Sequence, residues 1–338
     1  MGYNKERYVT LKKIAYYIVL CIWYLISLMP FWVLYRLSDF IYCLLYYVVG
    51  YRKKVVRENL SSSFPEKSVE ELRKIERGFF HFLCDYVVES LKMMTISDRN
   101  LRKRMVYKNV EIFDKCVEEG QSCAIYLGHY CNWEWVTSLP LWTPEEAQCG
   151  QIYHAMENGV VDQVLLHVRQ RLGAISIPMA ETLRQLLKFK SENRPVVIGY
   201  IADQVPFWNN IHHWCQFLNQ DTPVLTGTER LARKLNHAVL YMDLSRPKRG
   251  YYEVELKLIT RTPQQMGEYA ITDAYFQLLE QTINREPQYW LWSHKRWKRT
   301  REEFNLRLDP ETGKVDIISS VEKLKEKRRQ QQTTTEQS

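Results

Sequence analysis

CAIYLGHYCNWEWVTSLPLW, residues 123–142, decides how the rest of the chain is read. Its first six positions, Cys123 to Gly128, form an apolar run with β-branched and aromatic character that a glycine closes. That is the pattern of a short buried strand. The residues from Tyr130 onward read as the start of a helix, so His129 and Glu134 stand where a strand hands over to a helix, a common place for a functional loop on an α/β sheet. Two readings of the pair stand side by side. In one, it is a capped, partly buried ion pair at a structural junction. In the other, a neutral histidine takes a proton from an attacking hydroxyl, while the glutamate curls back to fix the tautomer and stabilise the imidazolium. The five-residue spacing alone does not separate them.

Working outward, CGQIYHA, AISIP, VVIGYIADQ, AVLYMDLSR and YYEVELKLIT read as strands. Between them VVDQVLLHVRQRLG, AETLRQLLKFK and TGTERLARKLN read as helices. This alternation predicts an α/β fold with a mixed, mostly parallel central sheet flanked by helices. Upstream, after Pro65, Val69, Leu72, Ile75, Phe79 and Leu83 recur near the helical period and predict an amphipathic helix. The stretch after Asp203 and Gln204, rich in Trp, Asn and His, is expected to be a loop. The domain of residues 55–322 is thus bracketed by an apolar segment, 1–54, and a basic polar tail, 323–338, expected to be disordered.

The apolar segment predicts membrane attachment. Ile14 to Tyr35 holds 22 positions without a charge, a helix of about 33 Å, near the thickness of a bilayer core. Lys5, Arg7, Lys12 and Lys13 precede it and favour a cytoplasmic N-terminus. A second apolar run, FIYCLLYYVVG, ends before Arg52, Lys53 and Lys54. The run is too long for a signal peptide and has no small-residue cleavage site. A single crossing, a helical hairpin and a tilted interfacial foot all fit this pattern, and Pro30 is expected to kink the first helix.

A net charge of +8 favours acidic partners. KRWKRTR, Lys295 to Arg301, concentrates that charge beside Trp290, Trp292 and Trp297, and Lys295, Arg296, Lys298 and Arg299 are candidate contacts for anionic headgroups or an acidic carrier protein. Basic and aromatic side chains also suit single-stranded nucleic acid, but no nucleic-acid module accompanies them, and the apolar segment argues for lipid. The eight scattered cysteines contain no CxxC pair and read as reduced thiols, not as zinc ligands. His212, His213 and Cys215 lack regular ligand spacing. Cys131 follows His129 by two residues and reads as a wall residue instead of a nucleophile.

In its ordered motifs the chain resembles the bacterial lipid A late acyltransferases, within the glycerolipid acyltransferase superfamily. The likeness spans about residues 1–300. It rests on the His-x4-Glu element after an apolar strand, NLSSSFPE, HVRQRLG downstream of Tyr153 and Asn158, IADQ, PVLTG, and the ending QYWLWSHKRWK. The resemblance implies an acyltransferase-like fold and a membrane enzyme of the bacterial inner membrane with its body on the cytoplasmic side. It implies an acyl carrier protein as donor and a hydroxyl of an anionic lipid, a lipid A precursor, as acceptor. His129 becomes the general base and Glu134 its partner. The hydroxyl attacks the thioester and the thiolate leaves, a reaction that calls for no cofactor. Arg169 and Arg171 become candidates for lipid phosphates, joined by Asn158. Asp203 and Gln204 are expected to position the acceptor or Arg169. The sequence FLN at 217–219 stands where the family pattern has FLG, which leaves an aminolipid or phospholipid acceptor as an alternative. A membrane-anchored, non-catalytic binding or scaffold protein is the other alternative; it would make His129 an inherited core residue.

Overall fold

In a computed structural model, residues 2–156 and 158–336 are described. Their strands are β1 (Met105–Lys108), β2 (Cys123–Leu127), β3 (Gln148–Tyr153), β4 (Ile175–Pro178), β5 (Val196–Ile201), β6 (His213–Phe217), β7 (Gln220–Val224), β8 (Ala238–Lys248) and β9 (Tyr251–Thr260). Their α-helices are α1 (Gly2–Leu28), α2 (Phe31–Cys43), α3 (Lys53–Ser63), α4 (Val69–Lys92), α5 (Asp98–Arg104), α6 (Glu111–Glu118), α7 (Gly159–Gln170), α8 (Thr182–Ser191), α9 (Gly227–Leu235), α10 (Ala270–Arg285), α11 (Arg301–Arg307) and α12 (Val321–Glu336).

Seven strands form one sheet in the order β1-β9-β8-β2-β5-β3-β4. Strand β2 runs parallel to β5 and β8, and β3 runs parallel to β4 and β5. Only the β8–β9 hairpin turns antiparallel, with β1 then parallel to β9. The expected mixed, mostly parallel α/β sheet is therefore present. Every residue of β2 is buried, as required of a central strand covered on both faces.

The β2–β5 register places the site. Leu127 pairs with Ile201, so the two parallel strands end level, and the Ala202 N–H donates to the Leu127 carbonyl just beyond. His129 and Asp203 each follow by two residues. Neighbouring parallel strands of equal reach bring them side by side without any help from the helices.

The N-terminal segment differs from the expected single helix over 14–35. Pro30 ends α1 and opens α2 instead of kinking one continuous helix. Its ring fixes φ at −65°, and it has no N–H to offer an earlier turn. Helix α2 runs on through a π-helical turn, Leu44–Val49, and stops at Gly50, whose φ of +65° closes the helix. Phe31–Val49 is the one described helix long and apolar enough to cross a membrane, and Lys13–Leu28 is a shorter apolar stretch. The two faces of α2 diverge sharply. Trp32, Phe40, Tyr47 and Val48 are exposed, while Leu34, Ser38 and Tyr46 are buried against the body.

Helix α4 begins at a capping box of Ser68 and Glu71, which satisfies two orphan N–H groups at once. The Trp- and Asn-rich stretch after Gln204 is a loop only as far as His212. It then folds into the β6–β7 hairpin, whose turn is made by Leu218 and Asn219, both at positive φ. The tail 323–338, expected to be disordered, is helical as far as Glu336, and its last two residues lie outside the described residues. It continues α12, which buries Leu324 and sends Arg328 to the carbonyls of Asn305 and Leu308.

Candidate active site

His129 leaves the end of β2 across Gly128, a position with no room for a side chain. A Cβ there would meet Leu279 of α10 at 2.7 Å and Asp203 at 3.2 Å. The loop that follows is fastened from two sides. On one, it adds to the segment after α10: the Leu291 N–H donates to the His129 carbonyl, and the Cys131 N–H donates to the Tyr289 carbonyl. On the other, Asn132 Nδ2 donates to Glu89 Oε2 at 2.8 Å, and the Trp135 indole donates to the Glu89 carbonyl. Glu89 is fully buried on α4 and also accepts from Tyr252 at 2.6 Å and from Tyr35 of α2 at 3.0 Å. One carboxylate thus ties the loop to the sheet and to the apolar N-terminal segment.

The partner of His129 is Asp203, not Glu134. Asp203 Oδ1 lies 2.7 Å from His129 Nδ1, and Oδ2 accepts from the His129 backbone N–H and the Trp290 indole, each at 2.8 Å. Burial raises the Asp203 pKa, but the facing His129 charge and these donors outweigh it and hold the carboxyl at about 2. An anionic Asp203 accepting at Nδ1 puts the ring proton there. Nε2 is left as the acceptor, facing the Gln204 side-chain amide at 3.3 Å.

Glu134 has a different partner. It takes a bidentate pair from Arg169 of α7, at 2.8 and 2.5 Å, and a longer contact from the Tyr86 hydroxyl at 3.3 Å. Trp133 separates the two pairs, its ring stacked on Tyr86 and edge-on to His129. The expectation that Glu134 fixes the imidazole fails for a geometric reason. After His129 the loop passes through Cys131 at a φ of +51°, and the five residues span a bend instead of one helical turn. Cys131 itself is buried, and burial pushes its thiol well above the usual range. That leaves little thiolate to act as a nucleophile.

His129, Glu134, Arg169 and Gln204 line the rim of a cavity of about 430 Å³. Much of the remaining lining is apolar, including Val136, Leu139, Ile152, Leu231 and Met242. The other sequence candidates lie apart from this rim. Asn158 is the N-cap of α7, its side-chain oxygen accepting from Val160 and Val161. Arg171 closes the same helix and donates to the Ile96 carbonyl. Arg296 is wholly buried, donating to the Pro223 carbonyl. Lys295 and Lys298 are exposed. Arg299 donates to the Pro206 carbonyl and lies over Phe207 and Trp208. His213 bonds Asp273 across to α10, and among the described residues no group of His, Cys, Asp and Glu is arranged to hold a metal ion.

A largely apolar cavity with a few convergent polar side chains, at the ends of parallel strands in an α/β body, is the arrangement of an enzyme's substrate site. The chain belongs to the bacterial lipid A biosynthesis acyltransferase family, whose model matches residues 3–299. It is an acyltransferase enzyme, and its family places it in lipid A biosynthesis, with a lipid A precursor as acceptor and an acyl donor as the second substrate. A comparison with curated proteins gave no match.

Proposed function

We propose that the protein transfers a fatty acyl group from acyl carrier protein to a hydroxyl of a lipid A precursor, with His129 as general base. The observation that carries this reading is the division of the His129 ring. Nδ1 is committed to a buried carboxylate, and Nε2 is the basic atom that faces the cavity rim. The acceptor hydroxyl gives its proton to Nε2 as its oxygen attacks the thioester carbon. Asp203 keeps the ring in the required tautomer and stabilises the imidazolium. Collapse of the tetrahedral intermediate breaks the C–S bond, and the imidazolium returns the proton to the departing sulfur. The acyl chain occupies the apolar part of the cavity.

Arg169, locked by Glu134, supplies positive charge at the rim for the phosphate of an anionic acceptor. Lys295 and Lys298 form a surface for the acidic carrier protein. The basic residues preceding the apolar run of α1 favour a cytoplasmic N-terminus, and an apolar segment that lies in the interface or returns as a hairpin keeps the body on that same side of the inner membrane. The test is transfer of labelled acyl groups from carrier protein to a lipid A precursor, with His129→Ala beside the wild type. A folded His129→Ala should lose about 10²–10⁴ in rate, the usual scale for general-base catalysis. A wild-type rate with both substrates saturating would remove His129 from the mechanism. Transfer to a phospholipid or aminolipid in place of the lipid A precursor would redirect the acceptor assignment.

A further inference from the structure

Gln204 holds a position that the proton-transfer chemistry leaves without a task. It follows Asp203 directly, lines the cavity rim, and brings its side-chain amide to 3.3 Å from the His129 nitrogen that must receive the proton. The orientation of an amide follows from its partner. Since Nδ1 carries the ring proton toward Asp203, Nε2 accepts, and the Gln204 group facing it is the NH2. In the free enzyme the base is therefore capped by a neutral donor.

The acceptor hydroxyl needs the same lone pair, so Gln204 has to leave Nε2 before transfer begins. Its donor then stands beside the reacting carbon. Several neighbouring donors are committed, the His129 N–H and the Trp290 indole to Asp203, and the Arg169 Nε and Nη2 to Glu134, whereas the Gln204 amide already touches the nitrogen that receives the proton. Attack on a thioester places negative charge on the carbonyl oxygen, and a donor aimed at that oxygen is what the step lacks.

We infer that Gln204 is a catalytic residue whose side-chain amide caps His129 in the free enzyme and donates to the thioester oxyanion during transfer. The inference rests on the reading of His129 as the base. In the step, the acceptor C–O bond forms while the hydroxyl proton moves to His129 Nε2. The carbonyl π pair moves onto oxygen, where the Gln204 N–H meets it. When that pair re-forms the carbonyl, the C–S bond breaks and the thiolate takes the proton from His129. No other reactant is needed.

The experiment compares Gln204→Met, similar in length and without a donor, with Gln204→Glu, which offers an acceptor in the same place. Both are assayed with acyl carrier protein thioester and lipid A precursor. The expected result for Gln204→Met is a kcat lower by about 10²–10³, the scale for losing one oxyanion donor, with KM for both substrates little changed. Gln204→Glu should fall at least as far, because its carboxylate both lacks the donor and repels the oxyanion. Either folded variant retaining a wild-type kcat overturns the inference, as does faster transfer by Gln204→Met, which would make the amide a brake only. If Gln204→Met does not fold, the isosteric Gln204→Glu reads the same outcomes. His129→Ala run alongside keeps the two ideas apart. An inactive His129→Ala beside a normal Gln204→Met removes Gln204 alone, whereas a normal His129→Ala removes the base and this step with it.

Discussion

Asp203 Oδ1 lies 2.7 Å from His129 Nδ1, although 74 residues separate them in the chain. Glu134, five residues from the same histidine, is instead held in a bidentate pair by Arg169. The two carboxylates therefore call for different kinetic signatures. Asp203→Asn should leave the ring in place but offer an amide where an anion belongs, lowering kcat by about 10²–10⁴. Glu134→Gln should release Arg169, which then holds the acceptor less well, so the larger change should be a higher KM for the anionic lipid. Steady-state kinetics over both substrates decides it. Equal losses of kcat in the two variants, with KM unmoved, would contradict this division of labour.

The sequence located this site better than it wired it. The apolar run at 123–127 and the run at 196–201 each announce a strand, and the residues just past their ends, His129, Asp203 and Gln204, were identifiable as candidates. The pairing was not, because it depends on β5 being inserted beside β2 in register, with β3 and β4 displaced to the far side. Local spacing pointed to Glu134; strand order pointed to Asp203. The tie from Glu89 to Asn132 was hidden for a similar reason, since a buried glutamate on an amphipathic helix looks like any other polar position until its partners fold around it. The β6–β7 hairpin escaped because Leu218 takes a positive φ, where a Gly, Asn or Asp would have signalled a turn.

Stability should fall as pH drops below neutrality, and His237 is a principal cause. Burial, with Lys190 nearby, lowers its pKa from 6.5 to about 4. Between those values the unfolded chain binds a proton that the folded chain refuses, so stability falls with falling pH across that window. A difference of this size between the folded and unfolded states amounts to roughly 3 kcal/mol once the window is crossed. His294, lowered to about 4 chiefly by burial, adds to the same slope. Asp203 acts lower. Its pKa is depressed from 3.8 to about 2, so its contribution is complete above about pH 4 and is lost as pH falls toward 2. Urea melts from pH 7 to 4 should give a shallower slope for His237→Gln than for the wild type. Parallel curves would show that this ring does not titrate as described.

The outer face of α2 should carry membrane retention independently of the fold. Trp32, Phe40 and Val48 expose 70%, 60% and 75% of their surface, while Ser38 is buried against the body and Asp39 is half-buried at the edge of the contact. Ser38 bonds Asp85, and Asp39 bonds His81 and Arg249. A helix that presents apolar residues outward and is pinned by polar residues inward suits an interface. Phe40→Glu with Val48→Glu should shift protein from the membrane pellet to the supernatant, with the melting temperature nearly unchanged. Undiminished pelleting after a salt wash would assign retention to α1 or to another surface.

The basic run near the C-terminus should divide into two functional halves. Lys295 and Lys298 are exposed, and their charge reaches an approaching carrier protein through solvent, where salt screens it. Arg296 is buried, its guanidinium drawn down to about 10 by burial and still cationic at neutral pH. It donates to the Pro223 carbonyl and lies 5.9 Å from the Phe276 ring centre. Replacing Lys295 and Lys298 with Gln should therefore raise the KM for acyl carrier protein at low salt, with the difference from wild type shrinking as ionic strength rises. Melting behaviour should not change, because exposed charges of this kind contribute little to stability. Arg296→Gln should do the reverse, lowering the melting temperature through the loss of its bond to the hairpin while leaving the salt dependence of KM intact. A double lysine variant with wild-type KM at every salt concentration would remove carrier docking from this surface. An Arg296→Gln variant that melts normally but loses carrier affinity would mean the guanidinium comes out to meet the partner.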